Sequence, residues 1–76
     1  MAKASGKKVE TVYKIVEVVG SSPISWEDAA RVAVESAAKK LRNMRVAEIT
    51  KLDMKIDDGK VIAYRARVSL SFKYEG

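Results

Sequence analysis

The 76-residue sequence contains no cysteine and no histidine. Without cysteine there are no disulfides and no thiolate metal sites, and without histidine the commonest general base and the commonest transition-metal ligand are missing. No apolar run approaches the roughly 20 residues of a membrane-spanning helix. The lysines near the N-terminus precede no apolar segment, so no signal peptide is predicted and the cytoplasm is the expected location.

The composition, 47% hydrophobic and 33% charged, is typical of a folded globular domain. The chain is near the lower size limit for folding without disulfides or a metal, and such domains often gain stability by forming oligomers. We predict a flexible basic tail over residues 1–9 and a single domain over residues 10–76. The tail is rich in alanine, serine, glycine and lysine.

The net charge of +5 raises the question of nucleic-acid binding. Three of the cations, Lys3, Lys7 and Lys8, belong to the predicted tail, and the others are scattered along the chain. No segment interleaves exposed aromatic residues with basic ones, as a single-strand binder requires. Neither nucleic acid nor membrane is therefore an expected partner.

The last third of the chain alternates between apolar and polar residues without a fault. This period of two predicts a long, half-buried strand from Ile62 to Tyr74. The apolar positions are Ile62, Tyr64, Ala66, Val68, Leu70, Phe72 and Tyr74. The opposite face is small, polar and basic, and because so short a chain can cover only one face of its sheet, we expect function on this second face.

The preceding residues predict a strand, a helix and a second strand. The first strand is β-branched and runs from about Glu10 to Val19, and Ser25 then has the position of a helix N-cap. The helix is predicted to continue to about Asn43, because an apolar stripe recurs at three- and four-residue spacing. The stripe consists of Trp26, Ala30, Ala33, Ala37, Leu41 and Met44.

The second strand, Val46 to Ile56, changes its apolar parity partway along, which predicts a β-bulge near Thr50 and Lys51. The sequence from Asp57 to Lys60, which contains Asp-Gly, predicts a tight hairpin. The fold class is therefore α+β with the order β-α-β-β. The last strand is expected between the other two and antiparallel to both.

Several segments resemble the dodecins. They are the run Val12–Pro23, the helix with Ala29-Ala30 and Ala37-Ala38, the segment Val46–Ile49 and the closing Val68–Lys73. The resemblance implies a three-stranded antiparallel sheet wrapped around one helix, and twelve subunits in a hollow shell. It also implies a binding and storage role, since flavin-binding members stack the flavin ring between tryptophans and hydrogen-bond it through a glutamine.

The resemblance does not carry the flavin residues over. Val46 stands where the stacking tryptophan would be, and Arg65 stands where the glutamine would be. Without an aromatic plane the stacking energy, about 1–3 kcal/mol per base-sized ring, is lost. The run from Ser22 to Glu27 resembles a subgroup without that tryptophan that is described as calcium-binding. The single tryptophan, Trp26, is expected to pack at the corner between strand and helix.

Six residues are candidates for ligand or metal binding. Arg65 and Arg67 lie two residues apart on one strand face, where they can hold a phosphate or other anion, or pair across a subunit interface with Glu48 or Glu17. The candidate ligand-binding residues are thus Val46, Glu48, Arg65 and Arg67. Calcium needs six to eight oxygen ligands, and the candidate metal ligands are Asp53 and Glu17, completed by symmetry-related subunits.

The sequence predicts no enzyme, because it has no nucleophile paired with a base and no phosphate-binding loop. The expected function is a dodecin-like homo-dodecamer that stores a small ligand or ion, with calcium preferred to flavin. Two alternatives remain open. One is a flavin store in which Arg65 grips the phosphate of FMN and Val46 adds only apolar contact, and the other is a structural assembly with no cognate ligand.

Overall fold

The computed structural model describes residues 11–74, and the predicted 1–9 tail lies outside them. The elements are β1 (Tyr13–Ser22), α1 (Trp26–Ala38), β2 (Met44–Asp57) and β3 (Lys60–Lys73). The three strands form one sheet in the order β1-β3-β2, with β3 antiparallel to both neighbours. The predicted α+β class, element order and central position of the last strand are confirmed. Among residues 11–74 no helix has the length and apolarity to cross a membrane.

The start of α1 is fixed by two serines. Ser25 is the N-cap, as predicted, and its hydroxyl accepts a hydrogen bond from the Asp28 amide at 3.0 Å. Ser22, which is buried, donates its hydroxyl proton to the Asp28 carboxylate at 2.7 Å and accepts the Ile24 amide at 3.0 Å. The hydrogen bond from the Ser22 hydroxyl, and after it one from the Arg31 guanidinium, lower the pKa of Asp28. The end of β1 is thereby tied to the first turn of the helix.

The predicted end of the helix and both predicted limits of the first strand are wrong: the strand begins at Tyr13, and the predicted start at Glu10 lies outside the described residues. The helix ends at Ala38 and not near Asn43, because the amides of Lys40 and Leu41 both bond to the Ala37 carbonyl and the helical ladder stops. Asn43 then takes a left-handed conformation, φ 62°, that turns the chain into β2. At the other end of the helix, β1 does not stop at Val19 but continues to Ser22, because its last residues still pair with β3.

The core lies between α1 and the central strand. Small helical residues, Ala29, Ala30 and Ala33, are buried against Ala66, Val68 and Leu70 of β3. The alternation predicted for β3 is confirmed at its centre, and the alanines of the helix stripe let the helix lie close to the sheet. The helix packs on β1 and β3 and barely reaches β2.

The β2–β3 hairpin turns at Asp58 and Gly59, both with positive φ (52° and 74°), as the Asp-Gly sequence predicts. Its register shifts between Ile49 and Lys51, which confirms the predicted bulge. The Thr50 hydroxyl at this bulge donates a hydrogen bond to the Arg67 carbonyl at 3.2 Å. Two further irregularities, between Met44 and Val46 and between Lys55 and Ile56, were not predicted.

Candidate functional site

The face of the sheet that points away from α1, called the outer face below, carries all six candidate residues. The register arranges them in four consecutive rows across β1, β3 and β2. The rows are Ile15–Ser71–Val46, Glu17–Ser69–Glu48, Val19–Arg67–Lys51 and Ser21–Arg65–Asp53. The rows alternate with buried positions of β3, as a period of two requires. The second face of the last strand is therefore where the chemistry-bearing side chains gather.

Arg65 and Asp53 form a bidentate ion pair on this face. The Arg65 Nε lies 2.7 Å from Asp53 Oδ1, and a terminal guanidinium nitrogen lies 2.8 Å from Oδ2. The Arg65 hydrogen bond holds the pKa of Asp53 below its usual value, and Asp53 in turn raises the pKa of Arg65. Both side chains are about half exposed, at 44% and 52%, so solvent screens the pair and its contribution to stability is small.

Trp26 supports Asp53 from the other side of the sheet. Its indole nitrogen donates a hydrogen bond to the Asp53 carbonyl at 2.9 Å, and its ring meets Tyr64 edge-on with centroids 5.1 Å apart. The residue does lie at the helix start, where the sequence places it, but it contacts β2 and β3 in their halves nearer the hairpin turn. Trp26 thus positions the backbone that carries the Asp53 side chain.

Arg67 has different surroundings from Arg65. It lies opposite Lys51 and Val19, and it makes no ion pair with any residue of the described chain. Its charge adds to the lowering of the Asp53 pKa, after the larger effect of Arg65. Arg67 and Lys51 therefore form a small cationic row beside a neutralised ion pair.

Glu17 and Glu48 flank Ser69 in a single row. They are two strand spacings apart, which places their Cα atoms at roughly 9.5 Å. Both are exposed, and neither side chain makes an ion pair or hydrogen bond to residues 11–74. The two carboxylates can converge over the small serine, although no group of three or more acidic residues that could hold a metal occurs within the described residues. Any metal bound here needs further ligands.

Val46 occupies the end of the outer face. It is 58% exposed and lies across Ser71 from Ile15, which is 57% exposed. No aromatic side chain shares this row. Tyr13 belongs to the neighbouring row but lies on β1, which β3 separates from Val46 on β2. The row offers an apolar surface with a small central residue but no ring against which a flat ligand could stack.

The pairing of Arg65 with Asp53 is the feature that the sequence reasoning missed. The sequence predicts Glu17 and Glu48 as the partners of Arg65, and it predicts Asp53 only as a metal ligand. Counting back from the Asp-Gly turn places Asp53 opposite Tyr64, and only the irregularity at Lys55 and Ile56 shifts it by one residue to Arg65. The hairpin sequence gave no signal for that irregularity.

Comparisons with known proteins agree with this geometry. The family model described as Dodecin matches residues 12–75. The chain belongs to the dodecin family. The calcium dodecin of Mycobacterium tuberculosis is 41% identical over 63 residues, which are 83% of this chain and 89% of that protein.

Two solved dodecin structures show the same fold. The dodecin from Streptomyces coelicolor is 33% identical, with a TM-score of 0.83, and the match covers 91% of this chain and 99% of that one. The crystal structure of the M. tuberculosis calcium dodecin, described as having a novel calcium-binding site, is 42% identical with a TM-score of 0.75, over 84% and 91% of the two chains. The resemblance of the sequence to the dodecins is thus confirmed, both for the family and for the fold.

Acid is expected to remove the contribution of the Asp53–Arg65 pair in this dodecin. Because the pKa of Asp53 is lowered in the folded state, its stabilisation is present above the ordinary value of 3.8 and is lost as the pH falls through the lower, folded value. Asp53→Asn should therefore melt slightly below the parent at pH 7, and the difference should shrink below about pH 4. Thermal melts of both proteins across this range measure it. A difference that stays constant with pH would contradict the assignment.

Proposed function

We propose that this dodecin is the subunit of a hollow homo-dodecamer that binds and stores a small ligand or ion, and that the ion is calcium. The observation that carries the proposal is the composition of the outer face. It presents carboxylates without partners in the described chain and no aromatic plane beside Val46. The similarity to a calcium dodecin over 83% of the chain supports the same conclusion.

The flavin alternative has less support from the outer face. A flavin ring placed on Val46 would meet Ile15 and Ser71, which give apolar contact but no stacking partner. The phosphate of FMN would need the Arg65 guanidinium, two of whose nitrogens already bind Asp53. A flavin therefore has to displace an existing ion pair without gaining aromatic contact, and weak binding is expected.

Calcium binding is favoured by the oxygen ligands available. Carboxylates are the preferred side-chain ligands of this ion, which takes six to eight oxygens. A single subunit supplies Glu17 and Glu48 in one row and Asp53 two rows away. We propose that symmetry-related subunits and water complete the coordination, because a closed assembly repeats each carboxylate around its axes.

A binding role is also favoured over catalysis. The chain has no histidine and no cysteine, and the basic and acidic residues of the outer face lie in a solvated surface. The perturbed carboxylates, Asp28 and Asp53, owe their lowered pKa values to hydrogen bonds from Ser22 and Arg65. Neither is held in the raised, proton-sharing state that an acid or base catalyst uses.

Native mass spectrometry and thermal melts test the proposal together. We expect a mass of about twelve times 8.4 kDa, with calcium ions retained and with a melting temperature that rises when calcium is added. FMN should bind weakly or not at all and should keep its fluorescence. The matched control is the double variant Val46→Trp and Arg65→Gln, which should gain flavin affinity. The tryptophan supplies an aromatic plane, and the glutamine replaces Arg65 at the position from which flavin-binding dodecins hydrogen-bond the ring.

Three results would contradict the proposal in different ways. A monomer at micromolar concentration would remove the assembly. A dodecamer that neither retains calcium nor gains stability from it would leave a structural assembly. Tight binding and quenching of FMN by the unmodified protein would establish the flavin alternative.

A further inference from the structure

The cationic row of the outer face, Val19–Arg67–Lys51, brings two like charges together. Arg67 and Lys51 lie directly opposite each other in the β2–β3 register, which places their Cα atoms about 4.5–5.5 Å apart. Like charges at directly opposite positions destabilise a sheet. Both residues are exposed, and neither side chain makes an ion pair or a hydrogen bond to residues 11–74. The row therefore holds positive charge that no ion pair within the described chain neutralises.

The bulge in β2 is what creates this row. Glu48 lies on the outer face, and an uninterrupted alternation would next place Thr50 there and turn Lys51 to the helix side. The register shift between Ile49 and Lys51 brings Lys51 opposite Arg67 instead. The Thr50 hydroxyl secures the irregularity through its hydrogen bond to the Arg67 carbonyl. Bulges often re-aim a side chain next to a functional site, and this one places a lysine beside an arginine.

A second row of like charge, Glu17–Ser69–Glu48, lies beside the cationic row. We call it the acidic row, and two residues of strand, about 6.5–7 Å, separate the two rows along β3. Arginine and lysine side chains can reach carboxylates at that distance, yet no ion pair joins the rows within residues 11–74. Positive and negative charges thus stay separated on adjacent rows. This arrangement suits a cation and an anion that are bound side by side.

We propose that the cationic row binds an oxyanion of the phosphate class, and that this anion also becomes a ligand of calcium held by the acidic row. Guanidinium and ammonium groups are the side chains that recognise phosphate. Calcium–oxygen distances are about 2.3–2.6 Å and N–H···O distances about 2.7–3.2 Å, so one phosphate can span the spacing between the rows. Arg65 takes no part, because Asp53 already holds its guanidinium. The inference rests on the proposed calcium binding and names a second ligand of the same site.

The two ligands should bind cooperatively. Without an anion, the charges of Arg67 and Lys51 repel a calcium ion in the neighbouring row. A bound phosphate neutralises that repulsion and adds an oxygen ligand to calcium. We therefore expect phosphate to raise calcium affinity by about 10-fold at low salt, and calcium to raise phosphate affinity by the same factor, since coupling between two binding sites is reciprocal.

Isothermal titration with calcium tests this coupling in the assembled protein. The titrations use two low-salt buffers of matched ionic strength, one with chloride as the only anion and one with submillimolar inorganic phosphate. The informative variant is Lys51→Gln with Arg67→Gln. In chloride it should bind calcium at least as tightly as the parent, because the repulsion is gone. In phosphate it should bind calcium more weakly than the parent does, because it gains nothing from the anion.

The matched control is Lys39→Gln with Lys40→Gln, which removes the same charge from two exposed residues that follow α1. It should keep the phosphate response of the parent. A further titration replaces inorganic phosphate with glycerol 3-phosphate. An equal gain in calcium affinity would assign the site to the phosphoryl group of a small molecule, and a gain with inorganic phosphate alone would assign it to the free ion.

The titrations also define what would overturn the proposal. A parent with the same calcium affinity in both buffers would overturn it and leave calcium binding standing, and so would a Lys51 and Arg67 variant that keeps the phosphate gain. If that variant lost calcium affinity in chloride, the two cations would support the structure of the site and would not bind an anion. A parent that binds calcium in neither buffer would overturn this proposal and the proposed function together.

Discussion

Replacing Gly20 with alanine is expected to prevent stable folding. A Cβ atom at this position would lie 2.0 Å from the Ala29 carbonyl oxygen and 2.9 Å from the Ala33 Cβ. The obstructing atoms belong to the helix backbone and to an alanine, so no flexible side chain can move aside. The helix has to lift from the sheet, which opens the contact between its alanines and Val68 and Leu70.

The expected cost of this single methyl group is large for so small a domain. Overpacking typically costs 1–3 kcal/mol, and a clash with backbone exceeds that range. In a domain of this size a single core rarely supplies more than about 3–5 kcal/mol of stability. We expect Gly20→Ala to lose its cooperative thermal transition, measured by circular dichroism, or to show a midpoint lowered by tens of degrees.

Gly59→Ala is the matched control for this substitution. Gly59 has a positive φ of 74°, but nothing lies within 4 Å of an added Cβ. Only the backbone preference is violated there, at a cost of about 1 kcal/mol. If Gly20→Ala melted within a few degrees of Gly59→Ala, the close approach of β1 and α1 would not have the importance that we assign to it.

The elements that sequence reasoning predicted well are those specified by local patterns. The alternation from Ile62 to Tyr74 identified a half-buried strand because its period of two depends only on the strand itself. Ser25 was recognisable as an N-cap, and Asp58-Gly59 as a tight turn, because each needs only a short stretch of chain. The resemblance to the dodecins then supplied the family, and the family match over residues 12–75 confirms it.

The features that cannot be predicted from local sequence patterns depend on contacts between distant segments. The helix stripe continues past Ala38 to Leu41 and Met44, so the pattern alone gave no reason to end the helix early. Leu41 and Met44 do pack against the core, but from the connection and from β2. The stripe therefore predicted correctly that Leu41 and Met44 pack inward but gave them the wrong secondary structure, and it did not include Ala29, which is fully buried.

The candidate site also combines features that a local pattern predicts with features that depend on contacts between distant segments. Parity along β3 placed Arg65 and Arg67 on the outer face correctly, since it needs no partner strand. The partner of Arg65 could not be obtained in this way, because one bulged residue in the hairpin changes every pairing beyond it. The row of Glu17, Ser69 and Glu48 likewise exists only after β3 has been aligned with both neighbours.

The combination of Glu17→Gln and Glu48→Gln is expected to lower calcium affinity by roughly 100-fold, because affinity for this ion depends on the number of charged ligands. These carboxylates face each other across Ser69 and have no partner within residues 11–74. Asp53→Asn should have a smaller effect, since both oxygens of Asp53 already accept hydrogen bonds from Arg65. A cation at Asp53 has to displace that guanidinium first. Isothermal titration with calcium measures the affinities of the assembled parent, the double variant and Asp53→Asn.

The control for this prediction is Glu35→Gln, which removes one negative charge, as Asp53→Asn does, against two in the double variant. Glu35 lies on the exposed side of α1, where it pairs with Arg31 at 3.1 Å, far from the outer face. It should bind calcium like the parent, which separates loss of a ligand from a general change in net charge. If the Glu17 and Glu48 substitutions left calcium binding intact and Asp53→Asn abolished it, the ion would have to compete with Arg65 for Asp53. In that case the site would lie in the Ser21–Arg65–Asp53 row, and calcium binding would be coupled to the opening of that ion pair.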